Sequence, residues 1–136
     1  IEAEPADATT TLEEYREQVG RIGRSLFEVF MRDPELGRVL FFVVGEVGSD
    51  LREQVAKAFD YFTLGTELYL KNGIERGFIN PKIDTFATAA ALNLLIFEGA
   101  RRLEFADDPS AETDRWIATA QMLLFDGISA ERRSGR

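Results

Sequence analysis

Three polar side chains stand on helical faces that are otherwise apolar: Thr63, Thr66 and Asn93. A buried hydroxyl or amide must find a hydrogen bond or cost about 1–3 kcal/mol. Each is therefore tied down by its own fold or placed to hold a ligand. Threonine can bond a carbonyl of its own helix, the simpler account of Thr63 and Thr66. Asn93 keeps three roles open: pairing across a subunit interface, capping a backbone group, or touching a ligand. Phe27, Phe30, Phe59, Phe62, Tyr69 and Phe97 complete the candidate set. Rings around a few polar anchors are the make-up of an apolar ligand pocket, although core packing alone accounts for most of them. Glu98 and Arg102, four apart, form a helix-surface ion pair worth a few tenths of a kcal/mol and carry no further reading.

Reaction chemistry has little to build on. The 136 residues include no histidine and no cysteine. The usual general base, the usual nucleophile–base pairs and the thiolate metal sites are therefore absent. No glycine-rich phosphate loop or CxxC pair occurs. The expectation is a non-enzyme with no metal and no cofactor. A formal net charge of −8 argues against this chain gripping phosphate backbones by itself. The one basic cluster, Arg132, Arg133 and Arg136, falls in an expected disordered tail over 131–136. The longest apolar window, Ala87 to Phe97, is too short to span a bilayer, so no membrane partner is expected. The lack of cysteine fits a cytoplasmic setting. Ile1 stands where a start methionine would, which points to a processed product or a fragment.

Helical spacing dominates the elements that would position these residues. Leu12, Tyr15, Val19, Ile22, Leu26, Val29 and Phe30 share one face, after a capping box of Thr10 with Glu13 or Thr11 with Glu14. Acidic, polar residues 1–9 read as a flexible tail or linker. Asp33-Pro34, Asn80-Pro81 and Asp108-Pro109 each read as an N-cap followed by proline at the first helical position. RVLFFVV, residues 38 to 44, suits a buried strand on its own; without a partner strand it reads as a short helix from Pro34 to about Gly45. The next helix starts at Ser49 or Asp50 and runs to about Arg76, with Leu51, Val55, Ala58, Phe59, Phe62, Gly65 and Tyr69 on one face. Gly77 suits a left-handed helix end, and Gly73 marks either close packing or a frayed turn. Two further helices follow, over Lys82 to Phe105 and Pro109 to about Ser129. The class is all-α, a five-helix bundle domain spanning 10–130.

The last two helices carry more apolar surface than one neighbour needs. The polar arc of the first holds only Asp84, Thr88, Glu98 and Arg102. Its apolar arc is roughly twice the ~100° stripe of an ordinary surface helix. A copy of the same pair across a two-fold axis would cover the excess and make a four-helix bundle from two subunits. The candidate homodimer interface is Ala89, Leu92, Ile96, Gly99 and Leu103 on one helix, with Ala118, Met122 and Phe125 on the other.

DPELGRVL at 33–40, GIERGFI at 73–79, Asp84, ATAAALNLLIFEG at 87–99 and IATAQMLLFDGI at 117–128 follow one another in an order that resembles the C-terminal ligand-binding and dimerisation domain of TetR-type transcriptional regulators. The resemblance covers nearly the whole chain from about residue 10. It implies an effector-sensing domain of a repressor, in which the last two helices form the dimer bundle and earlier helices enclose a small apolar or amphipathic effector. Operator DNA would be reached only through an N-terminal helix-turn-helix domain that these residues do not supply. The competing expectation is a stand-alone dimeric helical interaction module, or a carrier of apolar ligands, with no DNA partner.

Overall fold

The computed structural model describes residues 4–33 and 49–130. Within them lie four α-helices and no strand: α1 (Leu12–Arg32), α2 (Ser49–Glu75), α3 (Thr85–Arg102) and α4 (Pro109–Phe125). A single 3-10 turn, Leu103–Phe105, links α3 to α4. The expected short helix from Pro34 to Gly45, and with it the fifth helix, lies outside the described residues, as does the 131–136 tail.

Two starts follow the expected caps. Thr11 Oγ1 accepts from the Glu14 N–H at 3.1 Å, while the Glu14 carboxylate reaches back to the Thr10 N–H at 3.1 Å. Asp108 Oδ1 accepts from the Ala111 N–H at 3.1 Å, with Pro109 leading α4. The third start is corrected. Asn80 does not cap α3: its Oδ1 accepts from the Lys82 N–H at 2.9 Å and closes a turn. Asp84 is the cap instead, accepting from the Ala87 N–H at 2.9 Å. Two acceptors four residues apart compete for the helix start. The turn at Asn80 lets the chain bury Ile79 before α3 begins.

The corner ending α2 is built on two glycines. Gly77 takes φ +78°, its N–H donates to the Ile74 carbonyl at 3.0 Å, and the Phe78 N–H donates to the Gly73 carbonyl at 2.8 Å. This pairing satisfies carbonyls that a helix end would leave open. Gly73 is packed rather than frayed. A methyl there would lie 2.7 Å from both Tyr15 Oη and Ile79 Cγ1. Tyr15, fully buried, uses that space to donate its hydroxyl to the Tyr69 carbonyl at 2.8 Å. Its ring meets Phe78 at 5.5 Å and the edge of Phe125 at 5.7 Å. One side chain of α1 thus touches the end of α2, the corner and the end of α4.

Residues 4–9, the described part of the expected tail, make contacts with α1 and α2. Arg21 grips the Glu4 carboxylate with two nitrogens at 2.9–3.1 Å. Gln18 donates to the Pro5 carbonyl at 3.1 Å, Tyr69 donates to the Glu4 carbonyl, and Thr9 is buried. The side chains of this segment are polar, but its backbone carbonyls supply much of the grip, and composition does not display those.

The apolar core lies where α1, α3 and α4 converge, on Phe27, Ile96, Leu103, Ile117 and Ala120. Gly99 lets these helices close, since a methyl there would lie 2.6 Å from Trp116 and 2.8 Å from Phe27. On α2 the buried positions among the described residues are Val55, Thr63, Glu67, Leu70, Asn72 and Gly73. Gly65, expected on the packed face, is exposed with open space around it.

In an exposed helix Gly→Ala stabilises by up to about 1 kcal/mol. Gly73→Ala should reverse that sign and cost about 1–3 kcal/mol by overpacking Tyr15, read as a lowered midpoint in urea. Burial pushes the Tyr15 phenol up to about 12 from an ordinary value of 10. The stability it confers is complete below pH 10 and lost as pH rises through 12. Tyr15→Phe should therefore flatten the fall in melting temperature across that window.

Candidate functional site

Asn93 sits mid-way along α3, on the face turned inward, and is 3% exposed. Its Oδ1 accepts from Thr66 Oγ1 of α2 at 2.8 Å. Its Nδ2 has no hydrogen-bond partner among the described residues. The pair borders a cavity of about 50 Å³. Val19, Ile22 and Leu26 of α1 form one wall; Leu92 and Ile96 of α3 and Ile117 and Ala120 of α4 form the others. Gln121 also lines the cavity. None of the lining residues is ionisable. A buried water needs roughly 10–15 Å³ of such space, so the cavity exceeds one water.

Gln121 also borders an open surface depression formed by Thr11, Leu12, Glu13, Arg16 and Glu17. It lies across α1 at Gly20 and donates Nε2 to the Arg16 carbonyl at 3.0 Å. One amide side chain therefore lines both the cavity and that depression.

Of the nine pocket candidates, Thr66 and Asn93 line this cavity. Phe27 is core. Phe59 and Phe62 pack edge-on against Phe97 at 5.2 and 6.2 Å, forming a ring cluster apart from this cavity. Thr63 donates to its own-helix Phe59 carbonyl at 2.9 Å, the structural role that threonine chemistry suggested. Tyr69 is directed to the N-terminal segment, its phenol pushed up chiefly by burial. The side chain of Phe30 lies outside the described residues.

The interface candidates divide. Ala89, Ile96, Gly99 and Leu103 are buried within the single chain, so their side chains leave nothing for a second copy. This corrects the expected interface face of α3. The apolar arc was wide enough for either flank to turn inward, and contacts with α1 and α4 selected this one. Leu92 is half-buried and borders the cavity. On α4, Ala118 and Met122 are exposed and Phe125 is half-buried. The outward apolar surface is a groove of about 270 Å³ between α3 and α4, lined by Thr88, Ala91, Leu92, Leu95, Leu123 and Leu124. Leu94 adds to the exposed apolar surface at 57% exposure.

Three features were missed at the level of sequence: the cavity wall on α1, the role of Gln121, and the Thr66–Asn93 bond. The wall residues had been grouped correctly as one helical face. The bond had no signal, because a 27-residue separation between two polar groups carries no register.

Glu98 does more than pair with Arg102. Two Arg101 nitrogens reach it at 2.7 and 2.8 Å, with Arg102 at 2.8 Å, and the Arg101 hydrogen bonds chiefly hold its carboxyl down at about 2. The cluster is part-exposed and contributes little net stability. Among the described residues no group of acids is arranged to hold a metal ion, and no helix is long and apolar enough to cross a membrane.

No protein-family model matches the chain, and no curated protein or solved structure is significantly similar to it.

A half-satisfied amide beside unfilled space is a stability liability. Asn93→Leu fills the space, removes the unpaired donor and frees Thr66 to bond its own helix. It should raise stability by about 1 kcal/mol, or roughly 3–5 °C in melting temperature. A fall instead would mark the amide as a structural tie between α2 and α3.

Proposed function

We propose that this chain is the effector-sensing and dimerisation domain of a TetR-type transcriptional regulator acting as a repressor in the cytoplasm. Three observations support the reading: the sequence order described above, an all-helical fold, and the placement of α3. The last of these carries most. Leu92 borders both the inner cavity and the outer apolar groove. A molecule filling the cavity pushes on the same helix that offers apolar surface to a partner copy. The dimer surface in this reading is the rotated face, Ala91, Leu95, Leu123 and Leu124, joined by Ala118 and Met122, rather than the buried flank.

The mechanism is a population shift between dimer shapes. A dimeric reader engages half-sites roughly 34 Å apart, one turn of duplex. An effector favouring the other spacing draws the population away from the operator by its difference in affinity for the two shapes. Contact with DNA falls to a helix-turn-helix domain outside these residues, in keeping with a net charge of −8.

Sedimentation should give a dimer at micromolar concentration. The surface variant Ala91→Glu with Leu123→Glu should be monomeric with unchanged helicity. A stable wild-type monomer sinks the reading. So does a parent reading frame with no helix-turn-helix in the roughly 50–60 residues upstream; a dimer without one leaves a stand-alone carrier or interaction module.

A further inference from the structure

Helix α2 turns Val55, Thr63 and Leu70 toward the rest of the chain and carries an apolar stripe on its opposite side. Tyr61, Leu64 and Leu68 are 77%, 53% and 61% exposed, and Gly65 beside them has open space around it. We propose that this stripe is a second self-association surface, on which α2 of another copy of the chain packs antiparallel across a two-fold axis. The surface shares no residue with the α3–α4 groove and goes beyond the proposed sensing role.

Spacing is the first support. Gln54, Lys57, Tyr61, Leu64, Leu68, Lys71 and Glu75 follow one another at alternating steps of three and four, and all seven are exposed. That is the seam of a coiled coil, on the side of the helix where a lone surface helix would be polar throughout. Its middle is apolar and its ends are charged.

Those charges select the orientation. A parallel pair would set Lys57, Lys71 and Glu75 each against its own copy, like charge on like. An antiparallel pair centred between Leu64 and Leu68 sets Lys57 opposite Glu75 of the second copy, Tyr61 opposite its Lys71, and Leu64 opposite its Leu68. The two-fold axis repeats each contact. Sliding one heptad toward the start of α2 would instead face Asp50 with Glu75 and Lys57 with Leu68. Lys57 gives up only Glu53 at 3.2 Å, an exposed pair worth little. Lys71 keeps Glu67 of its own helix at 3.5 Å while its stem lies along the Tyr61 ring. Gly65 flanks the seam. A glycine inside an exposed helix weakens it, and its bare backbone lets a second helix come close.

Two leucine layers between two Tyr61–Lys71 layers make a small interface, so the association belongs at about 0.1–1 mM. Sedimentation of the intact chain is followed from about 1 µM to 1 mM. The species present at micromolar concentration should double in mass over the upper decade. Leu64→Lys with Leu68→Lys should abolish that step at unchanged helicity. Lys57→Glu should weaken it about fivefold, and adding Glu75→Lys should restore it. A mass constant to the top of the range overturns the inference, as does a step indifferent to the leucine pair or to the charge reversal. A leucine variant that loses helicity also overturns it, because the stripe is then covered by the chain's own residues. Ala91→Glu with Leu123→Glu separates this surface from the proposed dimer, since that variant should begin as a monomer and still double. Doubling without a wild-type dimer at micromolar concentration sinks the α3–α4 reading alone; a micromolar dimer with no second step sinks this inference alone.

Discussion

The Tyr15 hydroxyl on the Tyr69 carbonyl, reached across the bare backbone of Gly73, is the contact that the rest of the arrangement leans on. A buried phenol must place its proton, and here the acceptor lies on the last turns of α2. Meeting it fixes α1 against α2 at one height. The corner that follows then lays Phe78 on the Tyr15 ring and Ile79 beneath Gly73. With that corner set, α3 departs in one direction. Thr66, one turn before Tyr69, comes within 2.8 Å of Asn93. The floor of the cavity is thus a consequence of where a tyrosine on another helix finds its acceptor.

Much of the fold was legible because most of it is local. Three-and-four spacing located α1 and α4, and Thr11 and Asp108 marked their starts as side chains within reach of free N–H groups. The failures share a cause. Asn80 and Asp84 were both competent caps, and the choice fell to the turn that buries Ile79, a tertiary demand. Residues 4–9 looked solvated because their side chains are polar, yet Gln18 and Tyr69 reach their carbonyls. α2 rolled so that Gly65 faces outward, since Thr66 and Glu67 find partners on α3 in Asn93 and Thr85. A period can report that a helix has an apolar side; on an apolar arc this wide it cannot report which edge turns inward.

The same limit explains the site. Asn93 and Thr66 were visible as polar groups on apolar faces, an anomaly that sequence displays directly. The rings beside them were not informative, because aromatic side chains fill cores and line cavities alike, and here Phe59 and Phe62 stack edge-on against Phe97. The walls of the small cavity are aliphatic residues of α1, α3 and α4, indistinguishable in type from any core.

The gap beside Asn93 stands in contrast to two close crossings of the same helices. Gly73 admits Tyr15 and Gly99 admits Trp116 and Phe27, each at distances where a methyl would collide. At Asn93 the same helices stop short, and a donor is left without a partner among the described residues. Unfilled volume and an unpaired amide each lower stability. A larger aliphatic side chain at one position would remove both. The same α3 packs tightly one to two turns farther along, at Phe97 and Gly99, so the gap is local. The unpaired amide is not peculiar to it, because Thr9 Oγ1, Gln18 Oε1 and Asn72 Nδ2 are also buried without a partner among the described residues. Leu92 borders both that gap and the outer groove, and the proposed sensing role rests on this one shared side chain of α3.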